Sequence, residues 1–188
     1  MPIVELHLLE GYDKIQKQRL SVALTSAVRF VVPAAPDLVT VLIHETPAQD
    51  YYRGGVPRKP APARADPEQT VRSFLDEMAV RALEKAQARL APGFVMNFPG
   101  AKPMHALQEL IEWAAPRYRF VTKTYEGFDA LQGAGDAAIV YCRGTLSGEW
   151  PDGTPFGDIR FIDRFEIVDD LITRQDVWND IAETKAQA

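Results

Sequence analysis

The segment from Val56 to Asp66 constrains the fold more than any other stretch, because it separates two regions with different hydrophobic patterns. Its first ten residues contain three prolines, three cationic residues and no acidic residue. Proline removes a backbone donor and fixes φ, so this composition resists helix and sheet and favours an extended spacer. The sequence therefore predicts a domain at residues 1–55, a linker at 56–66 and a second domain at 67–188.

Residues 1–55 have the pattern of a single β-α-β unit. Residues 2–9 are apolar, which predicts a strand buried on both faces. Asp13 followed by Gln16 is a variant of the capping box, and apolar residues from Leu20 to Val31 recur at helical spacing. Residues 38–43 predict a second strand, parallel to the first. A unit of this size with such apolar sheet faces cannot bury itself alone, so we expect self-association.

The N-terminal pattern resembles the 4-oxalocrotonate tautomerase family over residues 2–55. The stretches that carry the resemblance are Pro2-Ile-Val-Glu-Leu-His-Leu-Leu-Glu-Gly11, Val41-Leu-Ile-His-Glu45 and Gly54-Gly55. The resemblance implies trimers of dimers and proton transfer between carbon and oxygen of an enol or keto acid. It also implies that Pro2 is the general base and that Tyr51 forms the aromatic wall of the pocket. Met1 must be removed for this role, because an acylated Pro2 nitrogen is an amide without basicity.

Two positions depart from that family pattern. The two arginines that would hold the substrate's carboxylates are replaced by Tyr12 and Thr40, which are the expected substrate contacts here. Neither residue can supply the bidentate, charge-assisted binding of a guanidinium group. Arg53 can replace these arginines if its guanidinium group approaches the substrate from another direction. If no arginine replaces them, we expect the activity of the family to be lost or redirected. Two further arginines are alternatives to Arg53: Arg19 and Arg29. Two histidines lie within the strand patterns and are expected to be structural: His7 and His44.

Residues 67–188 predict an α+β domain. Asp66 is a helix cap and Pro67 occupies the first helical position. Helical spacing continues to about residue 78 and recurs at 82–90, where Pro92-Gly93 ends it, and at 105–115, while 94–98 predicts a short strand. Period-two patterns then predict strands near 117–128, 136–148, 156–168 and 171–179. This order is typical of a curved antiparallel sheet wrapped around helices and enclosing a cone-shaped pocket.

Strand parity singles out Asp163 as a catalytic residue. On the strand over 158–168, Phe161, Asp163 and Phe165 share one face, so a carboxylate lies on an apolar face. That arrangement is expected of a general acid or base. The alternative is a buried ion pair with Arg143 or Arg174.

The same parity argument groups residues on the neighbouring strands. In the last strand one face carries Ile172, Arg174, Asp176 and Trp178, and in an earlier strand one face carries Tyr141 and Arg143. The residues predicted to contact substrate in this domain are Tyr118, Tyr141, Arg143 and Trp178. For each of the three aromatic residues, a place in the hydrophobic core is the alternative.

The C-terminal half resembles the SnoaL-like branch of the nuclear transport factor 2-like (NTF2-like) superfamily over about residues 67–185. The stretches that carry the resemblance are Val71-Arg-Ser-Phe-Leu-Asp76, Leu90-Ala-Pro-Gly-Phe94, Arg160-Phe-Ile-Asp-Arg-Phe165 and Gln175-Asp-Val-Trp-Asn-Asp180. The superfamily includes polyketide cyclases, ketosteroid isomerase and epoxide hydrolases, commonly as dimers. In the epoxide hydrolases an acid on the final strand activates water, and the resemblance assigns that role to Asp176.

Composition restricts the partners and the compartment. A formal charge of −5 and a pI near 5.3 argue against nucleic acid and anionic membranes as partners. The single cysteine, Cys142, excludes an intrachain disulfide and fits a reducing compartment. The chain starts without a basic segment followed by an apolar run, and no apolar run approaches the roughly 20 residues of a membrane helix. We expect a cytoplasmic protein without a metal or nucleotide cofactor, since none of the motifs for these groups occurs.

Two hypotheses of function follow. The first is a cofactor-independent tautomerase or isomerase that acts on a small enolisable organic acid or polyketide-like molecule, with Pro2, Asp163 and Asp176 as catalytic residues. The second is a non-catalytic, oligomeric small-molecule-binding protein whose N-terminal domain serves only in assembly. Both predict a homo-oligomer, whether a dimer, a trimer or a hexamer.

Overall fold

The computed structural model describes residues 1–187 and divides into two compact units. The first unit comprises residues 1–63, and the second begins at Arg64. The predicted linker at 56–66 spans the boundary between these units. The predicted domains at 1–55 and 67–188 stay a prediction. Among the described residues, no helix has both the length and the apolar character needed to cross a membrane.

The first unit is a β-α-β unit followed by a small hairpin. Its elements are β1 (Ile3–Leu9), α1 (Lys14–Val31), β2 (Thr40–Thr46) and the hairpin strands β3 (Tyr52–Arg53) and β4 (Val56–Pro57), with short 3-10 turns at Pro36–Leu38 and Ala48–Asp50. Strands β1 and β2 are parallel, as predicted. The predicted capping box is also confirmed, since Asp13 accepts a hydrogen bond from the Gln16 backbone while Gln16 accepts one from the Asp13 backbone.

The sheet of the first unit is covered on one face only. Val4, Leu6 and Leu8 alternate with the exposed residues Ile3, Glu5 and His7, so the prediction of a strand buried on both faces is wrong for the single chain. The physical reason is that one helix covers one face of a two-stranded sheet. The segment after the hairpin packs back on this unit, because the Tyr12 hydroxyl donates to the Ala61 carbonyl at 3.0 Å.

The second unit has helices followed by an antiparallel meander, which confirms the α+β prediction. Its elements are α2 (Pro67–Ala79), α3 (Leu83–Gln87), β5 (Leu90–Asn97), α4 (Leu107–Ala114), β6 (Phe120–Gln132), β7 (Ala138–Glu149), β8 (Pro155–Val168), β9 (Leu171–Asn179) and α5 (Ile181–Gln187). The sheet order is β5-β9-β8-β7-β6, with β5 parallel to β9 and the other pairs antiparallel. The core lies on one face of this sheet, where Phe74 of α2 packs edge-on against Phe165 of β8.

Two local features of the second unit, one in β5 and one in β9, differ from the prediction. Leu90 begins β5 instead of ending a helix, and Pro92-Gly93 forms an irregularity inside that strand, with Gly93 at φ 78°. In β9, Ile172 pairs with Ile167 but Arg174 pairs with Glu166, so Thr173 is an extra residue. A bulge of this kind reverses the parity of every later residue in the strand.

Candidate functional site

The second unit contains a cavity of about 530 Å³ between its sheet, α4 and α5. Its walls are largely aromatic, with Phe98, Trp113, Tyr118, Trp150 and Phe161 among the lining residues. A volume of this size is within the range of about 300–1,000 Å³ that small-molecule sites occupy. The predicted cone-shaped pocket therefore has a counterpart in the structure.

Asp163 and Lys123 form an ion pair among the residues that line this cavity. Asp163 is fully buried, as strand parity predicts, while 24% of the Lys123 side chain is exposed. Gln175 donates a second hydrogen bond to the same carboxylate oxygen of Asp163, Oδ2, at 3.3 Å. The other oxygen, Oδ1, is buried without a hydrogen-bond partner in the described chain. The lysine is thus the more accessible member of the pair and the one better placed to meet a ligand.

The predicted ion-pair partners of Asp163 are wrong. Arg143 pairs with Asp129 and Arg174 pairs with Asp176. Sequence reasoning missed Lys123. A signal exists, because Lys123 lies between Val121 and Tyr125 on the same, otherwise apolar, face of β6.

Tyr118 lines the cavity and is the one predicted substrate contact of this domain whose position fits that role among the described residues. Burial raises the pKa of its hydroxyl, which the nearby positive charges of Arg117 and Arg81 only partly offset. The phenol therefore stays protonated at neutral pH and can donate a hydrogen bond. Trp113, whose ring lies 4.1 Å from the Arg117 guanidinium, has a buried indole N–H without a partner in the described chain.

Asp176 lies on the opposite face of the sheet from the cavity. It alternates along β9 with Gln175 and Val177, which pair with the inward-facing Phe165 and Asp163. The predicted face shared by Ile172 and Asp176 does not exist, because the extra residue in β9 reverses the parity between them. Asp176 instead accepts hydrogen bonds from three side chains, those of Arg174, Arg164 and Asn97.

The surroundings of Asp176 favour a structural anion. Burial alone would raise the pKa of this carboxyl, but the hydrogen bonds from Arg174 and Asn97 and the charges of Arg174 and Arg164 outweigh burial and lower it. A carboxylate held ionised by two arginines is a weak general base.

The remaining predicted contacts of the second unit are also on the outer face. Trp178 is 51% exposed and pairs with Ile162, and Tyr141 pairs with Arg164. Arg143 is exposed and bound to Asp129. These positions are unsuited to contact a molecule inside the cavity.

In the first unit, the structure brings Pro2 and Thr40 together. The Thr40 backbone N–H donates to the Pro2 carbonyl at 3.0 Å, so Thr40, the first residue of β2, lies beside the start of β1. Tyr12 is held by the Ala61 carbonyl, and the Tyr51 carbonyl accepts from Arg58.

Tyr51 and Arg53 are exposed in the single chain. One copy of this unit therefore does not enclose a pocket around Pro2 that includes these two side chains.

Comparison with known families agrees with this division into two parts. Residues 2–59 match the model of the family described as tautomerase enzyme, so the first unit contains a tautomerase-family domain. This confirms the resemblance drawn from Pro2 to Gly55. Among curated proteins, none matches the chain.

Solved structures resemble the second unit. An NTF2-like protein of unknown function from Burkholderia pseudomallei has a TM-score of 0.54 and 18% identity, over 65% of this chain and 96% of that protein. TerC, crystallised with polyporic acid, has a TM-score of 0.53 and 13% identity, over 64% and 95%. A protein described as a candidate SnoaL-like polyketide cyclase from Jannaschia sp. has a TM-score of 0.51 and 16% identity, over 69% and 95%. These likenesses establish that the second unit has the NTF2-like fold.

Proposed function

We propose that this protein is a cofactor-independent isomerase that moves a proton between carbon and oxygen of a small enolisable acid or polyketide-like molecule. The observation that carries the proposal is the Lys123–Asp163 pair among the lining residues of an aromatic cavity of about 530 Å³. The tautomerase-family domain at residues 2–59 supports the same class of chemistry.

The charges around the cavity favour an anionic or enolised ligand. Its lining includes three cationic residues, Arg117, Lys123 and Lys185, and one acidic residue, Asp163. An enolate oxygen bound at the Lys123 ammonium group would be stabilised electrostatically in a site with apolar walls. The aromatic rings would stack on a planar, conjugated ligand.

The roles within the pair follow from its geometry. Lys123 would donate a hydrogen bond to the developing oxyanion, and Asp163 would hold the ammonium group in position. Asp163 is also the group that can take up or return a proton as the ammonium group moves toward the ligand. Tyr118 would donate a second hydrogen bond from the cavity wall.

A second site at Pro2 belongs to the same proposal. Pro2 would act as the general base of the tautomerase-family domain after removal of Met1, with Tyr12, Thr40, Tyr51 and Arg53 as substrate contacts. The secondary amine of an N-terminal proline is basic, whereas the amide formed with Met1 is not.

The test is the ketonisation of an aryl enolpyruvate, followed by the loss of enol absorbance. Mass spectrometry first verifies that Met1 is absent. We expect Lys123→Met and Asp163→Asn each to lower the rate by about 100-fold or more if the cavity is the site, the usual range for losing an acid–base group. Pro2→Ala tests the site in the first unit in the same way, and a lower rate in this variant would assign the activity to Pro2.

Asp176→Asn is the matched control for the cavity, because it changes the other buried carboxylate, on the opposite face of the sheet. Its rate should stay close to that of the parent protein, provided that circular dichroism shows it folded. Unchanged rates in the Lys123, Asp163 and Pro2 variants together would refute the proposed activity.

A second candidate function is ligand binding without catalysis, with the first unit used for assembly. It is favoured by Tyr12 and Thr40, which stand where the family pattern has arginines. This function predicts that a planar, anionic aromatic ligand binds with micromolar or better affinity and is released unchanged. Retained Met1 in protein from the native host would support this candidate for the first unit.

A further inference from the structure

Three side chains with metal-binding atoms lie together on the sheet face that α1 leaves uncovered. Glu5 and His7 are two residues apart on β1 and therefore project from the same face. His44 is the register partner of His7 on β2, and the two imidazole rings stack with centroids 4.8 Å apart. All three side chains are exposed in the single chain.

The geometry of this trio is close to that of a metal site. One ligand atom from each residue lies within 4.8 Å of the others. In a tetrahedral zinc site with bonds of about 2.0–2.1 Å, ligand atoms are about 3.4 Å apart. Rotation of exposed side chains about χ1 and χ2 can close a gap of about 1.5 Å at small energetic cost. The backbone needs no rearrangement, because the parallel register already fixes the three Cα positions.

We propose that Glu5, His7 and His44 bind one divalent transition-metal ion of the zinc, cobalt or nickel type. Two imidazole nitrogens and one carboxylate oxygen are a donor set that such ions prefer, whereas magnesium and calcium take oxygen ligands almost exclusively. Three protein ligands leave at least one coordination position open to water or to a small anion.

The electrostatic setting supports a cation at this place. Neither β1 nor β2 contains a lysine or arginine, so no cation on these strands neutralises Glu5. Glu45 of β2 lies on the other face, where it pairs with Lys17 of α1 at 2.7 Å. The negative charge on the uncovered face therefore comes from the residue that would ligate the ion.

The experiment is a Co²⁺ titration of the full chain, without an affinity tag and after treatment with a chelator. Calorimetry gives the affinity, and the visible d–d absorption of Co²⁺ reports the ligand field. We expect about one ion per chain, and a loss of affinity of at least about tenfold in His7→Ala, His44→Ala and Glu5→Gln. Substitution of a residue that only hydrogen-bonds to a metal ligand already lowers metal affinity by about tenfold or more, so loss of a ligand itself should lower it at least as much.

His105→Ala is the matched control, because it removes the one remaining histidine of the chain, which lies in the second unit with Nδ1 3.2 Å from the Phe94 carbonyl. Its Co²⁺ affinity and spectrum should equal those of the parent protein. Equal affinity in His7→Ala/His44→Ala, or an equal loss in His105→Ala, would overturn the assignment. Displacement of Co²⁺ by a 100-fold excess of Mg²⁺ would overturn the class of ion. Should the double alanine variant fail to fold, His7→Gln/His44→Gln, which keeps the positions polar, takes its place in the titration with the same expected loss of affinity.

Discussion

At the scale of single residues, Asp163 is the most deeply buried acidic residue among those that the structure describes. Its side chain is fully buried, and its charge is balanced by Lys123 and a hydrogen bond from Gln175. Taking one partner out of a buried pair leaves an uncompensated charge, which costs about 3–5 kcal/mol. We therefore expect Lys123→Met to lower the free energy of unfolding by about that amount at pH 7, measured by urea denaturation.

The comparison for this prediction is an exposed ion pair between Arg160, on the same strand as Asp163, and Asp180, which follows β9. Arg160 and Asp180 keep 84% and 43% of their side chains exposed, and such pairs contribute up to about 1 kcal/mol. Arg160→Ala should therefore have a small effect. Lys123→Met/Asp163→Leu, which removes both charges, should recover much of the lost stability. A loss in Lys123→Met no larger than that in Arg160→Ala would contradict the prediction.

The burial of Asp163 could be predicted from the sequence, but its partner could not. Asp163 is two residues from both Phe161 and Phe165, and side chains two residues apart on a strand share a face. This spacing is a local property of one strand, so it fixes which face the carboxylate occupies. Lys123 is on β6, with β7 lying between it and β8. Whether the lysine reaches across that strand depends on the curvature of the sheet, which no local pattern determines.

Glu77 and Arg89 act at the scale of elements, because they link the last turn of α2 to the residue before β5. The guanidinium group donates two hydrogen bonds of 2.7 Å to the carboxylate. The hydrogen bond from Arg89 is the main cause that lowers the pKa of Glu77 below its ordinary value of 4.5, although burial opposes it.

This shift has a direct consequence for stability at low pH. A carboxyl whose pKa is lower in the folded state stabilises the fold above its unfolded pKa, and that contribution is lost as the pH falls through the folded value. We expect Glu77→Gln to be less stable than the parent at pH 7, with the difference shrinking below about pH 4. Urea midpoints at pH 7, 5 and 3 measure this. A difference that does not change with pH would contradict it.

Elements with strong local signals match the sequence prediction, and irregular ones do not. Asp13 and Gln16 predict the start of α1 because a capping box is made by residues three positions apart. The extra Thr173 in β9 has no such signal, since a bulge depends on the neighbouring strand. Because of that one residue, Asp176 and Trp178 face away from the cavity, although the strand that carries them was predicted.

The two units differ in how well they bury themselves at the scale of the whole molecule. The second has a core on one face of a five-stranded sheet, whereas α1 of the first has no fully buried residue. Ile3 and Leu42 remain 63% and 41% exposed on the uncovered face of the first sheet. Apolar residues on an uncovered sheet face with unpaired edges are typical of an association surface.

We therefore expect the full chain to self-associate through the first unit. Light scattering should give a mass that is a multiple of the 21.0 kDa chain. Ile3→Lys/Leu42→Lys should shift this mass toward that of a single chain, because burying two charges in an apolar interface is unfavourable. Val80→Lys, at a position 75% exposed in the second unit, is the control and should leave the mass unchanged. A single-chain mass for the parent protein would mean that the first unit is stable with its sheet face uncovered, and the pocket around Pro2 would then have to form from one copy alone.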